Sequence, residues 1–343
     1  MLVFKDLNVG KVANALAHVN PVTLAKFVST YVYHEWQIDR QNKKGIVAPT
    51  QMHIELTTFC PKRCEGCYIP LTDKLDPQVM SKKTAREAVR RGLAAKIRIY
   101  HLLGGEPVSE NTLPLIQMLV ESYPWAAFYV CTNASYLARH GDSAGVLLKA
   151  HNLSMNLSVD GFKATSDSIR GRGSYADVMG AASRLRELRC FFGATAAVLP
   201  GNFDEILSPD FLMHLKERGF SYLFYSTSHS SELIPQMEVL AKGGFYRKSP
   251  LPLYVNALGN LGNFSPNSWA RLAYVAKNGQ VLNDRQERVV VGDLEVVHQL
   301  GSMPQWAKKY RAQGMAGKAQ AAYEMTEKTA YRLEEAEAAP YLF

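Results

Sequence analysis

Between residues 52 and 226 six short strand-like runs alternate with helical patterns, and nothing else in the sequence limits the possible folds as strongly. The runs are Met52–Thr57, Ile97–Leu103, Ala126–Cys131, Leu153–Val159, Phe191–Val198 and Ser221–Ser226. Helical spacing of apolar residues fills the gaps at Lys82–Ala95, Thr112–Ser122, Ser143–Ala150, Asp177–Leu188 and Pro209–Arg218. Ser81 and Ser208 stand where helix N-caps are wanted, and Pro209 then takes the first helical position. Such alternation predicts an α/β fold whose parallel sheet is built from right-handed crossover units. Periodicity does not distinguish an open sheet from one curled into a partial barrel.

The flanks read differently. Residues 1–48 form a helical preface in which apolar residues recur from Val12 to Tyr33, with a break or kink expected at Pro21. A helix pair packed outside the main domain is expected there, the alternative being an amphipathic membrane-surface segment. Residues 228–275 are rich in Gly, Pro, Ser and Asn and read as loops. Tyr274–Val291 offers two short strands around the Asn278-Gly279 turn. Residues 303–338, rich in Ala, Glu and Lys, read as helical. The expected division is thus 1–48, a main domain over 49–227, an extension over 228–302 and terminal helices over 303–343.

With 47% hydrophobic and 20% charged residues, the 343-residue chain is neither disordered nor collagen-like. No run approaches about 18 consecutive apolar residues, so no transmembrane segment is expected. The N-terminus lacks the continuous apolar stretch of a secretory signal. A net charge of +8 invites a nucleic-acid reading. However, the basic run from Lys82 to Arg98 follows a helical pattern and has no aromatic-rich RNA-binding signature beside it, so nucleic acid is not an expected partner. An acidic peptide or an anionic membrane would suit the same charge.

The chain has five cysteines, too few for a disulfide scaffold, and three of them, Cys60, Cys64 and Cys67, fall in one C-x3-C-x2-C loop after the first strand. Three thiolates there can converge on one metal centre. A [4Fe–4S] cluster usually takes four cysteines, so three would leave one iron open. Zinc is the alternative, but it generally requires a second ligand pair, and Cys131 and Cys190 do not form one. Redox-active thiols fit less well, because the simple C-x-x-C pairing is missing.

Further short motifs close successive strands. Gly104-Gly105-Glu106-Pro107 ends the second, where glycines let a backbone edge approach a ligand and Glu106 stands at the carboxyl end of the sheet. A carboxylate in a closed pocket calls for a cationic mate. Cys131-Thr132-Asn133 ends the third strand, Ser158-Val159-Asp160-Gly161 ends the fourth, and Arg170 follows.

This ordered set, over roughly residues 50–227, resembles the radical S-adenosylmethionine (SAM) superfamily. The resemblance implies a partial (β/α)6 barrel with a helical preface and a small α+β extension. It also implies one [4Fe–4S] cluster on Cys60, Cys64 and Cys67, its fourth iron chelated by SAM. Glu106 would hold the methionine ammonium, with Gly104, Gly105 and Pro107 shaping that edge. Ser158 and Asp160 would contact the ribose, Arg170 the methionine carboxylate, and Val198 the adenine, while Thr132 and Asn133 would form part of the pocket floor. One departure is that Gly66 stands where the family often has an aromatic residue and Tyr68 follows the last cysteine, which puts the adenine contact there in doubt.

The implied chemistry is reductive cleavage of SAM to a 5′-deoxyadenosyl radical that abstracts hydrogen from a substrate. It requires a flavodoxin- or ferredoxin-like electron donor and a reducing, cytoplasmic setting. The hairpin near residue 278 looks like a SPASM or twitch extension, but no cysteine follows Cys190, so auxiliary clusters are not expected. The leading expectation is a maturase of a ribosomally made precursor peptide, by backbone rearrangement, excision or epimerisation, with a separate leader-binding protein. The alternatives are a small-molecule or lipid substrate, or a non-catalytic binding module. Tyr225, His229 and Cys131 are candidates to contact substrate or deliver hydrogen. His53, His101 and Cys190 read as structural.

Overall fold

The computed structural model describes residues 17–43, 49–64, 67, 69, 74–75, 77–140, 145–226, 233–255, 272–282 and 290–292. The strands are β1 Gln51–Thr57, β2 Ile99–Gly104, β3 Ala127–Thr132, β4 Leu153–Ser158, β5 Phe192–Ala197, β6 Leu223–Ser226, β7 Leu253–Val255, β8 Leu272–Val275, β9 Val281–Leu282 and β10 Val290–Gly292. They form one sheet in the order β10-β9-β8-β1-β2-β3-β4-β5-β6-β7. All pairings from β8 to β7 are parallel, and β9 and β10 add antiparallel at the β8 edge.

Side-chain alternation divides each strand between two layers. Met52, Ile54, Leu102, Val130, Met155 and Ala194 are fully or almost fully buried in the helix-side core. Residues of the opposite parity, such as His101 on β2 and Phe224 on β6, meet on the other face, their rings 6.3 Å apart. In a flat sheet those strands, four positions apart, would lie about 19 Å from each other. The sheet is therefore curled into a partial barrel, as the family resemblance implied.

Local signals explain the helices. Ser81 accepts from Thr84 N at 3.0 Å and Ser208 from Phe211 N at 3.2 Å, so both caps form as read. Pro21 does not kink a helix; it starts one, Pro21–Lys43, with Asn20 Oδ1 accepting from Val22 N. That helix does not pack on the outside of the domain. It lies across the amino-terminal ends of the strands, where Phe27 meets Tyr129 and Phe191, Gln37 donates to Lys96 O, and Thr23 bonds His151.

The stretch read as loops beyond residue 227 contains helices Ile234–Lys242 and Phe245–Lys248 and the strand β7. These elements are too short for periodicity to register, and pairing with β6 stabilises β7. The Asn-Gly hairpin forms, with Ala276 N donating to Gln280 O and Gly279 at φ 88°. Its first strand does not stand apart, because β8 pairs with β1 and extends the barrel. The expected helices over 303–338 lie outside the described residues. No helix among the described residues is long and apolar enough to cross a membrane.

Candidate functional site

The cysteine loop leaves the carboxyl end of β1, and the double glycine of β2 holds it in place. Gly105 N donates to Thr57 O at 2.7 Å and Glu106 N to Phe59 O at 2.5 Å, so two backbones zip together just before Cys60. A Cβ on Gly104 would lie 2.2 Å from Thr57 O, and one on Gly105 2.0 Å from Phe59 O. Gly104 also sits at φ 131°. The glycines thus serve an approach of backbone to backbone, whereas the sequence suggested an approach to a ligand. Gly105→Ala is expected to destabilise the protein by roughly 1–3 kcal/mol, the cost of overpacking, and to lower its iron content. Denaturant unfolding and iron assay check this, and unchanged iron loading would show that the zipper does not hold the loop.

Lys62, within the cysteine motif, ties the loop to the Ser174–Glu187 helix. Its Nζ donates to Ser174 Oγ at 2.6 Å and meets Asp177 Oδ2 at 3.3 Å, while Lys74 Nζ donates to Lys62 O. Sequence reading missed both lysines, although the position of Lys62 between two cysteines was the available signal. Cys60 and Cys64 are partly buried and Cys67 is exposed. Burial pushes the Cys60 thiol up to about 11, with Glu106 and Cys64 adding to the shift. Burial also raises Cys64, helped by Cys67 and Asp160 and opposed by Arg170 and Lys74. Thiols raised by burial and by each other's charge gain from a cationic centre that replaces their protons. Among the described residues no three His, Cys, Asp or Glu side chains gather as they would around a single ion. A cubane instead binds each thiolate at a separate iron.

Glu106 is buried between β2 and β3. One carboxylate oxygen accepts from Thr132 Oγ1 at 2.5 Å and Val108 N at 2.9 Å, and the other from Asn133 N at 2.7 Å. Burial raises its pKa to about 7 despite those three donors. Thr132 and Asn133 therefore support Glu106. Asn133 also reaches the cysteine loop, its Nδ2 lying 3.8 Å from Cys60 Sγ. One residue thus links the carboxylate to the cysteine loop.

The Asp160–Arg170 assignment needs correction. Arg170 Nε lies 2.5 Å from Asp160 Oδ2 and its Nη2 donates to Oδ1 at 3.1 Å, while Ala197 N also donates to Oδ1 at 2.7 Å. Asp160 is wholly buried, so its carboxylate anchors Arg170 and has no exposed edge for a ribose. Burial opposes the charge on Arg170, but Asp160, Cys64 and Cys67 outweigh it and hold its pKa above the usual value. Ser158 keeps a partly exposed place at the end of β4.

Two other expectations fail on parity. Val198 is completely buried in the helix-side core and presents no face to an adenine. Tyr225 is fully buried on that same side, its hydroxyl donating to Ile206 O at 2.8 Å, so it does not point into the barrel. Cys131 does lie on the interior face, beside Leu103, Tyr274 and Ala276, and accepts from Asn156 Nδ2 at 3.9 Å. Nearby, Tyr274 donates to the buried Glu55 at 3.0 Å, a pair that sequence reading passed over. His53 and His101 pack edge to face on the same side, and His101 Nε2 bonds Gln51 Oε1. Cys190 lies at the far end of the sheet, its thiol donating to Leu148 O at 2.9 Å. His229, Gly66 and Tyr68 lie outside the described residues.

A three-cysteine loop, a buried carboxylate beside it and a curled parallel sheet now stand together, and residues 54–208 match the Radical SAM superfamily. These residues form a radical SAM domain. By sequence no curated protein matches the chain. Among solved structures it is similar to Streptococcus suis SuiB bound to precursor peptide SuiA, with a TM-score of 0.53 and 15% identity over 77% of this chain and 68% of that one. SuiB bound to S-adenosylmethionine gives 0.53 and 15% over 71% and 62%. Polyhistidine-tagged anSMEcpe with bound AdoMet gives 0.51 and 15% over 84% and 98%. The radical SAM domain makes this chain an enzyme and implies SAM and an iron–sulfur cluster. The site's residues fit both groups. Glu106 is a buried carboxylate suited to an ammonium, and the cysteine loop offers three free thiols, of which burial raises Cys60 and Cys64.

Proposed function

We propose that this enzyme uses SAM and one [4Fe–4S] cluster on Cys60, Cys64 and Cys67 to modify a precursor peptide. The observation that carries the reading is Glu106, a buried carboxylate that three donors orient while one acceptor site stays open, linked through Asn133 to the cysteine loop. When bound and reduced by one electron, cluster-held SAM supplies a 5′-deoxyadenosyl radical. The chain's own residues orient and shield. Glu106 would receive the methionine ammonium, Arg170, fixed by Asp160, would offer its cation to the methionine carboxylate, and Ser158, half-buried at the end of β4, would contact the ribose. Cys131 is the interior thiol from which hydrogen can be delivered to the substrate.

Peptide as substrate is supported by the fold it shares with SuiB, solved with precursor peptide SuiA, and with anSMEcpe, solved with the Cp18Cys peptide. Rearrangement, excision and epimerisation remain the candidate outcomes, with a separate leader-binding protein, a flavodoxin- or ferredoxin-like donor and a cytoplasmic setting. The test is anaerobic co-expression with short peptides encoded beside the gene, followed by mass spectrometry. A peptide mass or stereochemical change that requires the intact cysteine loop is expected. Formation of 5′-deoxyadenosine driven by lipid or small-molecule extracts, with every peptide unchanged, would overturn the peptide reading.

A further inference from the structure

The Pro21–Lys43 helix packs Phe27 inward, yet it is apolar on its outward side as well. Its barrel-facing side buries Thr23, Thr30, His34, Glu35 and Gln37, whereas its outward side exposes Val22, Val32 and Trp36. Trp36 is 50% exposed, and Trp125, on the turn before β3, is 78% exposed. These are the two tryptophans among the described residues, and both stand at the same end of the barrel. Tryptophan is highly buried on average, so two exposed indoles on one end require an account.

Cations surround this apolar strip. Lys26 Nζ sits 5.7 Å from the Trp125 ring, the Arg40 guanidinium 5.3 Å from Trp36, and the Arg98 guanidinium 5.9 Å from Tyr33, which itself lies 5.8 Å from Trp36. Among the described residues no carboxylate pairs with Lys26, Arg40 or Arg98. Of the two acids on the helix, Asp39 is bound to Lys43 at 2.7 Å and Glu35 is buried, accepting from Tyr31. Burial, and after it the Arg98 charge, pulls the Lys26 pKa down.

We propose that this outward face, Val22, Lys26, Val32, Trp36 and Arg40 together with Arg98 and Trp125, docks the protein on an anionic phospholipid surface. The outer side of a helix is convex, and a headgroup layer accepts a convex strip without a shaped partner. Indoles settle at headgroup depth while Lys and Arg stems bury and their charges meet phosphates. A peripheral attachment of this kind needs no spanning helix. The face lies at the amino-terminal ends of the strands, about 20 Å from the cysteine loop at their carboxyl ends. Docked this way, the enzyme keeps its SAM mouth toward solvent, so the surface positions the enzyme and does not deliver a lipid substrate. This inference goes beyond the proposed function and stands independently of it.

The test is flotation of the full-length, cluster-loaded protein with phosphatidylcholine vesicles, with and without phosphatidylglycerol. Binding is expected to anionic vesicles only, to weaken with salt, and to shift tryptophan fluorescence to the blue. Lys26→Glu with Arg98→Glu should lower partitioning roughly thirtyfold or more. Trp36→Ser with Trp125→Ser should lower it comparably. Iron content and circular dichroism of both variants verify folding, and because the pairs change different chemistry, a fault in one leaves the other decisive. Failure to float with anionic vesicles, equal binding to neutral ones, or binding that survives both variants would overturn the proposal. So would light scattering that finds a dimer abolished by the tryptophan substitutions, which would make this face a contact between copies. These results are read without any substrate turnover, so they remain separate from the fate of the peptide reading.

Discussion

Cys64→Ala is expected to yield protein without the broad iron–sulfur absorbance and without detectable 5′-deoxyadenosine when supplied with SAM and reductant. Cys64 stands in the middle of the loop, partly buried, within electrostatic reach of Cys67 and Arg170. Three thiolates are the smallest set that leaves a cubane one open corner, and two cannot hold it. The loss should therefore be close to total, not graded. Cys190→Ala is the control, because that thiol is buried at the opposite end of the sheet and bonds a local carbonyl, Leu148 O. Its iron content should match the parent protein. Anaerobic reconstitution, iron and zinc analysis and product chromatography decide the matter. Retained turnover in Cys64→Ala, or zinc in place of iron in the parent, would remove the basis of the cluster assignment.

Glu106→Gln should separate binding from stability, moving them in opposite directions. Removing one partner of a desolvated ion pair typically costs about 2–5 kcal/mol, so SAM affinity should fall by roughly thirtyfold or more while iron content stays near normal. In the SAM-free protein the sign reverses. The folded-state pKa of Glu106, raised to about 7 by burial, lies above the ordinary value of 4.5 that an unfolded carboxyl keeps. As pH rises between those values the unfolded chain releases its proton first, so the carboxyl destabilises the fold progressively and fully above about pH 7. The full effect is on the order of 3 kcal/mol. Glutamine escapes it but sets an amide donor against Asn133 N, returning about 1 kcal/mol. Parent protein should thus lose stability from pH 5 to pH 8 more steeply than the variant, as measured by SAM-free thermal unfolding. Parallel pH profiles would contradict the buried-carboxylate account.

What could be read from the sequence was chemistry concentrated in short motifs. The cysteine loop, Glu106 and the capping serines declare themselves because each role depends on neighbours a few residues away. Mutual pairing of site residues did not show. Asp160 and Arg170 each suit a polar ligand when taken singly, and only the fold reveals that they satisfy each other. Parity was equally hidden in β6, where Leu223-Phe224-Tyr225 is apolar on both faces, so alternation gives no hint that Tyr225 belongs to the helix side. Asn133 illustrates a third limit, since two of its bonds reach back 27 residues to Glu106 and 73 to Cys60. The three-residue β7 escaped notice because a strand of that length owes its existence to its partner.

The parallel pairing of β8 with β1 bears on how the chain comes to be folded. The register joins Gln51 to Leu272, so the first strand of the barrel completes one flank with a segment synthesised about 220 residues later. Until that segment emerges from the ribosome, β1 presents a bare row of amides and carbonyls, a template for unwanted intermolecular association. A polypeptide shortened after Ser226 would keep every cysteine and Glu106 yet retain that bare row permanently. Trimming this enzyme to its cofactor-binding portion should therefore give aggregation in place of a smaller working catalyst.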